Sequence, residues 1–480
     1  MSQSATQRSQ LFSILIVFFF WGFVAASNDI LIPVFKEKLN LEQWQSQMVS
    51  FAFYVAYTIG SILYFLISRI LGTDIINKIG YKNGLSLGLV VSALGTLLFY
   101  PAAETASFGL MISGLFIVGL GFSLQQTVAN PLVILLGHPQ KGSQRLSLAG
   151  AINNVGTTIG PLLVSFAIFG SIYAEGYKAE ASIDSVKIPY LILGAAFLAV
   201  AIAFKFSSIP DQTIVEEESV AEKATSRKSA LAYPQLVLGM IAIFVYVGVE
   251  VSTASNLPEY MRQYLNTPTD QLAPFVSLFW ASLMIGRWTS SMDAFEWKAN
   301  HKTLVRLLTP YLAFGFFLGV NLIAGHDITP FYIYGIAILV LIVGNILSKG
   351  RPARQLLIFS ALGILSLLVG MNTTGMTSVF AFISVGLFCS TLWPCIFTLA
   401  IGGLKSHTNQ GSSFLIMMIM GGGFVSLLQG YLASDSLLGI KLSYVVGVAC
   451  FVYLAFYAIR VKSILKEQGI DEDAITSGSH

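Results

Sequence analysis

Residues 241–257 read IAIFVYVGVEVSTASNL, an apolar stretch with a single carboxylate, Glu250, near its middle. Residues 18–35, FFFWGFVAASNDILIPVF, have the same character and carry Asp29. Each stretch is close to the roughly 20 residues that a helix needs to cross a bilayer. A charge at that depth costs roughly 2.5–3.5 kcal/mol, so such an acid faces the inside of a helix bundle and marks the path of an ion, a proton or a substrate. We therefore predict a membrane-spanning chain in which Asp29 and Glu250 bind a coupling cation.

The composition supports that class of protein. Hydrophobic residues make up 55% of the 480 residues and charged residues only 11%, whereas soluble chains are about 25% charged. The net charge of +3 is small, and we expect no nucleic-acid partner. Cys389, Cys395 and Cys450 lie in apolar runs without disulfide or metal spacing, so we expect them to be core residues. The first apolar run, from Leu11, is too long for the core of a signal peptide and should persist as a helix.

Apolar runs bounded by glycine, proline or charge predict an all-α polytopic membrane protein with about fourteen spans. The predicted spans are 11–35, 46–68, 84–102, 107–136, 145–170, 188–207, 234–260, 271–292, 303–325, 328–348, 353–371, 376–404, 410–434 and 438–460. Residues 208–233, between the sixth and seventh spans, have the polar composition of a solvated linker. We expect an N-terminal six-helix bundle over 1–207, a C-terminal bundle over 234–466 and a disordered tail over 467–480.

The distribution of lysine and arginine predicts the orientation of the chain. If the N-terminus is cytoplasmic, the outward loops hold few basic residues, namely Lys36, Lys38, Lys178, Lys187, Arg262 and Lys441. Cytoplasmic loops carry the excess of these residues in membrane proteins. We therefore expect both termini in the cytoplasm and the chain in the cell inner membrane.

Amide side chains in the fourth and fifth spans indicate a polar cavity. Gln126 and Asn130 are four residues apart and share a helix face, and Pro131 permits a bend beside them. Asn153 and Asn154 follow in the fifth span. Amides both donate and accept hydrogen bonds, which suits a polyhydroxylated ligand. The alternative for each amide is that it only holds helices together.

A short repeat adds two more candidates for substrate binding. The tripeptide Ala-Ser-Asn occurs at 26–28 and again at 254–256, in the two spans that carry the acids. Transporters built from two parallel halves predict such matches. Asn28 and Asn256 therefore join the candidate substrate-binding residues.

Several residues in or near the spans have competing interpretations. Trp280 and Trp393 lie in mid-span and are candidates for stacking on a sugar ring, although core packing is the more common role of such residues. Asp29 has an alternative position at the outer membrane interface, bonded to helix ends. Arg287, near the inner end of its span, is expected to contact the loop that bears Asp293 in a gating role; an arginine that only extends to the interface is the alternative.

Seven segments together resemble a known family. They are SNDILIP at 27–33, QQTVANPL at 125–132, RLSLAGAINNVG at 145–156, YVGVEV at 246–251, MIGRW at 284–288, WPCIF at 393–397 and QGSSFLIM at 410–417. On these residues the chain resembles the major facilitator superfamily and, within it, the glucose/galactose transporter branch of the fucose–proton symporter family. The resemblance runs along nearly the whole chain.

The resemblance implies the two-bundle major facilitator fold and a sugar symporter that works by alternating access about a midplane site. Asp29 matches the family's acid, and Asn153 matches a polar position of its sugar site. Where the fucose branch has a glutamate on the fourth span, this chain has Gln126. Like the glucose/galactose branch it instead carries a glutamate, Glu250, on the seventh span. Coupling in that branch is to H⁺ or Na⁺.

Two regions depart from the family's usual pattern. The ninth and tenth predicted spans are additional to the usual twelve helices, and we expect them to form a peripheral hairpin without a direct substrate role. Residues 72–82 resemble the superfamily's cytoplasmic gate motif, but Asn77 replaces its usual acid. Asp74 is the candidate substitute, and Asp74 and Lys78 are candidate gating residues.

We therefore predict a secondary active importer of a neutral hexose resembling glucose, galactose or fucose, driven by H⁺ or Na⁺ symport. No organic cofactor is expected, and a sodium ion near Asp29 or Glu250 is the one metal considered. The alternative within the same fold is export or facilitated passage of another small molecule. An enzyme is not expected, because the five histidines lie at loops or termini and no HExxH or GxSxG pattern occurs. The expected partners are a small sugar and the lipid bilayer, with the protein a monomer.

Overall fold

The computed structural model describes residues 10–24, 43–73, 75–136, 142–169, 187–206, 229–267, 273–292, 299–434 and 436–470. These ranges contain α-helices, short 3₁₀ turns and their connections. Four candidate site residues lie outside the described ranges, namely Asn28, Asp29, Asp74 and Asp293. Most of the predicted linker and the last ten residues also lie outside them.

The helices of the first half follow the predicted apolar runs. They are α1 (Gln10–Val24), α2 (Gln43–Leu71), α3 (Ile75–Ile79), α4 (Tyr81–Leu97), α5 (Phe99–Glu104), α6 (Phe108–Leu135), α7 (Gly142–Phe169) and α8 (Lys187–Lys205). A 3₁₀ turn, Ala230–Ala232, precedes the second half. The Ser229 side chain caps this turn by accepting a hydrogen bond from the Leu231 N–H.

The second half contains more helices than the first. They are α9 (Pro234–Leu265), α10 (Ala273–Ser291), α11 (Ala299–Ile323), α12 (Gly335–Ser348), α13 (Pro352–Asn372), α14 (Gly375–Cys389), α15 (Leu392–Ile401), α16 (Thr408–Met417), α17 (Gly421–Leu432), α18 (Gly439–Ser443) and α19 (Val445–Glu467). A 3₁₀ turn, Thr329–Tyr334, leads directly into α12. Each of the predicted spans overlaps at least one of these helices.

Eleven helical segments within the described residues are long and apolar enough to cross a membrane. They are Phe51–Leu71, Tyr81–Glu104, Phe108–Ile134, Lys187–Lys205, Pro234–Leu265, Thr303–Ile323, Thr329–Ser348, Pro352–Asn372, Gly375–Ile401, Lys405–Leu432 and Gly439–Glu467. The remaining predicted spans fall on α1, α7 and α10, which are not among these segments. The prediction of an all-α polytopic membrane protein is confirmed.

The chain divides into two compact units. Unit 1 takes Met1–Gly137, Val155–Tyr233 and Leu404–Met418, and unit 2 takes His138–Asn154, Pro234–Gly403 and Ile419–His480. In unit 1, α6 packs against α2 and α4, and α4 also packs against α8. In unit 2, α9 packs against α17 and α19, and α13 packs against α14 and α19. The bundle limits expected from the sequence, 1–207 and 234–466, stay a proposal.

A polar chain crosses the core of unit 1. Trp21 Nε1 donates to Gln125 Oε1 at 2.7 Å, and Gln125 Nε2 donates to Ser92 Oγ at 2.8 Å. Gln125 is completely buried. Because these two bonds connect α6 to α1 and to α4, we assign Gln125 a structural role.

The additional pair of spans packs against neighbouring helices of unit 2. Helix α11 lies against α10, and α12 lies against α13. Large apolar side chains on both helices are exposed, for example Leu312 and Ile336. An exposed apolar surface of this kind suits contact with lipid tails. That these two spans form a peripheral hairpin stays a prediction from the sequence.

Candidate functional site

The carboxylate of Glu250 lies inside α9, and its side chain is only 13% exposed. Tyr246 lies one helical turn earlier on the same face, and its hydroxyl donates a hydrogen bond to Glu250 Oε2. A carboxylate buried in a spanning helix is costly unless it is paired or hydrogen-bonded. Tyr246 therefore supplies the first compensating contact for Glu250.

Arg287, on α10, supplies the opposite charge. Its Nη2 lies 3.9 Å from Glu250 Oε2, beyond hydrogen-bond range, and its side chain is 14% exposed. The guanidinium is held by neutral acceptors instead: Nη2 donates to Tyr246 Oη at 3.3 Å and Nη1 donates to Asn154 Oδ1 at 3.0 Å. Tyr246 thus accepts from the arginine and donates to the carboxylate, so it links the two charges.

A break between α14 and α15 provides the third acceptor. Pro394 has no N–H, so the carbonyl four residues earlier, that of Ser390, has no helical donor. Arg287 Nε donates to this carbonyl at 3.2 Å. Gly286 allows the close approach, because a Cβ at that position would lie 1.8 Å from Ser390 Oγ. Arg287 therefore supplies the donor that the Ser390 carbonyl lacks, and this carbonyl is one of the acceptors of the guanidinium. We call Tyr246, Glu250, Arg287, Asn154 and Ser390 the ionic cluster.

The two candidate tryptophans have different surroundings. The ring of Trp393 lies 6.2 Å from the Tyr246 ring and 6.0 Å from the Phe397 ring, which it stacks on. Trp393 is therefore next to the ionic cluster and is half-buried. Trp280 is 38% exposed and contacts Phe279 edge-on at 5.6 Å. The structure places Trp393 beside Tyr246 of the ionic cluster, whereas the ring contact that it gives for Trp280 is with Phe279.

The amides of α6 lie in unit 1. Gln126 Nε2 donates to Tyr57 Oη at 3.0 Å, and Gln126 is half-buried. Asn130 is only 1% exposed, and its Nδ2 has no hydrogen-bond partner within the described part of the chain. Buried polar atoms without a partner are rare in folded proteins. Asn130 is therefore the α6 side chain with the most obvious capacity for an added ligand.

The other candidate amides differ in their surroundings. Asn153 is half-buried on α7 beside Asn154, whose side chain belongs to the ionic cluster. Asn256 Nδ2 donates to the Ser252 carbonyl of its own helix at 2.8 Å. The structure therefore connects Asn154 to Arg287, whereas the Asn256 side chain bonds to the backbone of its own helix, α9.

The gate motif in unit 1 contains an amide contact. Asn409 Nδ2 donates to Asn77 Oδ1 at 3.1 Å, and Tyr81 Oη donates to Asn409 Oδ1 at 3.1 Å. Lys78 is exposed on α3. The residue that replaces the usual acid, Asn77, thus makes a neutral hydrogen bond.

Sequence reasoning missed three residues that complete these contacts. Tyr246 precedes Glu250 by four residues, and this spacing on one helix was a readable signal. The role of Ser390 follows from Pro394 four residues later, once a donor is known to be near. Tyr57, the partner of Gln126, comes from another helix and had no comparable signal.

Long apolar helices that enclose amides and a buried ion pair are typical of multi-pass membrane transporters. The chain belongs to the Major Facilitator Superfamily, whose family model matches residues 11–344. This confirms the resemblance and the fold that the sequence predicts. The matched relatives are named as transporters, which also confirms the prediction that the chain is not an enzyme.

Similar proteins cover nearly the whole chain. A glucose/galactose transporter of Brucella abortus is 34% identical over 467 residues, which is 95% of this chain and 96% of the relative. The L-fucose-proton symporter of Escherichia coli is 26% identical over 461 residues, which is 92% of this chain and 90% of the relative. A crystal structure of the E. coli fucose:proton symporter has a TM-score of 0.70 at 23% identity, covering 95% of this chain and 99% of that one. This structure shows the same fold.

Proposed function

We propose that the protein is a secondary active transporter that imports a neutral monosaccharide together with a cation by alternating access. The relatives named for glucose, galactose and fucose support the substrate class. The observation that carries the coupling is Glu250, a carboxylate inside a spanning helix that is bonded to Tyr246 and lies 3.9 Å from Arg287. Intramembrane acids of this kind mark ion and proton paths.

The coupling ion that we propose at Glu250 is the proton. The guanidinium of Arg287 carries a fixed positive charge, and a sodium ion on the same carboxylate would be repelled by it. A sodium ion also needs several oxygen ligands, whereas a proton needs one oxygen atom and almost no space. The relative named as a proton symporter agrees with this choice.

The amides that we propose to bind sugar hydroxyls are Gln126, Asn130 and Asn153, with Trp393 as a stacking surface. Asn130 has a buried donor without a partner within the described part of the chain. Gln126 and Asn153 are half-buried. Such groups match the mixed donors and acceptors of a sugar. Asn28, Asn154, Asn256 and Trp280 stay candidates from the sequence.

Uptake by purified protein in liposomes tests the proposed function. A panel of labelled hexoses is offered with an inward proton gradient, with an inward sodium gradient, and with neither. We expect accumulation of at least one hexose with the proton gradient alone. Accumulation that needs sodium would overturn the proton assignment, and accumulation indifferent to both gradients would overturn symport.

The variant Glu250→Gln tests the coupling residue. Glutamine resembles the protonated carboxyl group but cannot release a proton, so we expect loss of accumulation with retention of sugar exchange across the membrane. Glu259→Gln is the matched control, because Glu259 lies on the same helix but pairs with Arg262 at the surface. Wild-type accumulation by Glu250→Gln would contradict the role of Glu250.

Other assignments stay proposals from the sequence. We propose that Asp29 is a second cation-binding residue, that Asp74, Lys78, Arg287 and Asp293 take part in gating, and that the protein acts as a monomer. Both termini are proposed to be cytoplasmic in the cell inner membrane. Labelling of single cysteines introduced at either terminus, in intact and in permeabilised cells, tests the orientation.

A further inference from the structure

Arg287 and its neighbour Trp288 hold the first half of α7 against α10. Arg287 Nη1 donates to Asn154 Oδ1 at 3.0 Å. Gly150 leaves room for the arginine, because a Cβ at that position would lie only 3.0 Å from Arg287 Cδ. Trp288 Nε1 donates to the carbonyl of Ala151 at 3.4 Å. The position of this part of α7 therefore depends on the position of the guanidinium.

Asn154 is next to a residue to which the proposed function gives a role in sugar binding. Asn153 precedes it on α7 and is half-buried, whereas Asn154 is only 5% exposed. Successive side chains of a helix point about 100° apart, so Asn154 can contact Arg287 while Asn153 faces another direction. Because both residues belong to one helical turn, a shift of α7 at Asn154 also moves Asn153.

Protonation of Glu250 changes what holds the guanidinium. The ionised carboxylate attracts it across 3.9 Å, and the attraction is strong because both side chains are at most 14% exposed. A protonated carboxyl group loses this attraction, whereas the arginine keeps its charge. Arg287 then depends on its neutral acceptors, which are Tyr246 Oη, Asn154 Oδ1 and the Ser390 carbonyl.

The three acceptors lie on different helices. Tyr246 shares α9 with Glu250, and Ser390 lies at the break between α14 and α15. Asn154 is the acceptor on α7, the helix that also carries Asn153. A stronger hydrogen bond from the arginine to Asn154 therefore draws α7 towards α10. One ion pair, one hydrogen bond and one helical turn connect the carboxylate to Asn153.

Three described ionisable side chains interact electrostatically with or beside the pair of Glu250 and Arg287. They are Tyr246 on α9, Cys389 on α14 and Cys450 on α19. Helices α14, α15 and α17, which pack against α9, carry no acidic or basic residue. Arg145 is on α7, but it precedes Asn154 by nine residues, or about 13 Å along the helix. Tyrosine and cysteine ordinarily titrate near about pH 10 and about pH 8.5, so Glu250 is the member of this group that exchanges a proton in mildly acidic solution.

We infer that Asn154 is the positioning residue through which a proton on Glu250 raises the affinity for the sugar. Protonation strengthens the hydrogen bond from Arg287 to Asn154, and α7 then presents Asn153 to the sugar. The inference rests on the proposed function, because it needs the proton site at Glu250 and the sugar site at Asn153. Coupling of this kind is reciprocal, so a bound sugar also favours the protonated carboxyl group.

Sugar binding at two pH values tests the inference on the purified full-length protein. The probes are tritiated D-glucose and D-galactose, because relatives are named for these sugars. Binding is measured at about pH 5 and about pH 7.5, both below the ordinary pKa of cysteine. For the wild type we expect about tenfold tighter binding at the lower pH, which is within the usual range of coupling between two sites. Glu250→Gln should bind equally at both pH values.

Two variants remove the acceptor on α7. Asn154→Leu replaces the amide by an apolar group of similar shape, and the tenfold effect of pH should fall to less than about twofold. Asn154→Ala gives the same expectation with a side chain too small to clash, and so decides the question if the leucine variant fails to fold. Asn321→Leu is the matched control, because Asn321 is a buried amide on α11 that donates to the carbonyl of Phe317 at 3.0 Å. It should keep the wild-type effect of pH.

The ratio of the affinities at the two pH values separates this inference from the proposed function. A lower affinity with an unchanged ratio in the Asn154 variants would mean that Asn154 only stabilises α7, and would overturn its positioning role while the proposed function stands. A wild-type affinity that is the same at both pH values would overturn proton coupling and this inference together. Equal losses of the ratio in Asn154→Leu and Asn321→Leu would show a general effect of removing a buried amide and would overturn the assignment.

Discussion

Pro131 and Pro394 each lie in a helical span and leave one carbonyl without its helical donor. The chain supplies a different donor to each of these two carbonyls. In α6 of unit 1, Pro131 frees the carbonyl of Thr127, which accepts from Ser412 Oγ at 3.0 Å. In unit 2, Pro394 frees the carbonyl of Ser390, which accepts from Arg287 Nε at 3.2 Å. The first donor is a neutral hydroxyl and the second is a guanidinium.

The two donors differ in charge, and this difference affects what each site can bind. A serine hydroxyl adds no charge, so the α6 break can sit beside neutral amides such as Gln126 and Asn130. The guanidinium brings a charge into the membrane and needs an anion nearby. Glu250 meets that need, with Tyr246 between the two charges. Unit 2 thus contains a site whose net charge changes when one proton binds, which suits coupling, whereas the described α6 site suits recognition of hydroxyls.

The largest effect is expected from Arg287→Gln. This change leaves Glu250 as an uncompensated buried charge and removes donors from Ser390 and Asn154, so stability should fall by about 3–5 kcal/mol. Thermal unfolding in detergent measures it. Arg262→Gln is the control, because this exposed arginine on α9 pairs with Glu259 at the surface and should lose less than about 1 kcal/mol. Similar thermal midpoints for the two variants would contradict a buried, mutually dependent ion pair.

The double variant Glu250→Gln/Arg287→Gln tests whether the two buried charges depend on each other. Removing both charges avoids an isolated buried ion, so the double variant should recover most of the stability that Arg287→Gln loses. Proton-driven accumulation should stay absent, because no carboxylate remains to carry the proton. Thermal unfolding and uptake, measured on the same preparation, separate the two results. A double variant that is less stable than Arg287→Gln would show that the two charges do not interact.

An intermediate effect is expected from Tyr246→Phe. The change removes the hydroxyl that donates to Glu250 and accepts from Arg287, and hydrogen bonds to charged groups contribute about 1.5–3 kcal/mol. Tyr453→Phe is the control, because Tyr453 donates to the neutral carbonyl of Leu238 at 3.0 Å and should lose about 1 kcal/mol. Thermal unfolding gives the stabilities, and uptake should decrease only for Tyr246→Phe. Equal uptake by both variants would remove Tyr246 from the coupling site.

The contrast between the two sites also shows what sequence can predict. The helices can be predicted because length and apolar character suffice to define a span. Glu250 can be predicted as a functional residue because it is a charged residue within such a span. The hydrogen-bond partners of Arg287 cannot be predicted from the sequence, because Asn154 and Ser390 lie 133 and 103 residues away in the chain. Only the packing of α7, α10 and α14 decides that the arginine reaches them.

The same limit applies to the gate motif. Asn77 is recognisable as a replacement for an acid, but its partner Asn409 is 332 residues later. The interaction of a neutral amide has no charge pattern that would identify the partner in advance. Local spacing, by contrast, carries a signal for the contact between Tyr246 and Glu250, because the two residues lie four apart on one helix, although the sequence analysis did not predict this contact.

The smallest effect is expected from Ser412→Ala in unit 1. The change leaves the Thr127 carbonyl, already without a helical donor, unpaired in a buried position, at a cost of about 1 kcal/mol. Ser426→Ala is the matched control, because Ser426 Oγ donates to the Gly422 carbonyl of its own helix at 2.6 Å, where a backbone donor remains. Thermal unfolding should show a small decrease for Ser412→Ala and almost none for Ser426→Ala, with accumulation preserved in both. A loss of accumulation in Ser412→Ala without a loss of stability would mean that the α6 break takes part in coupling. The coupling function could then no longer be assigned to the charged site of unit 2 alone.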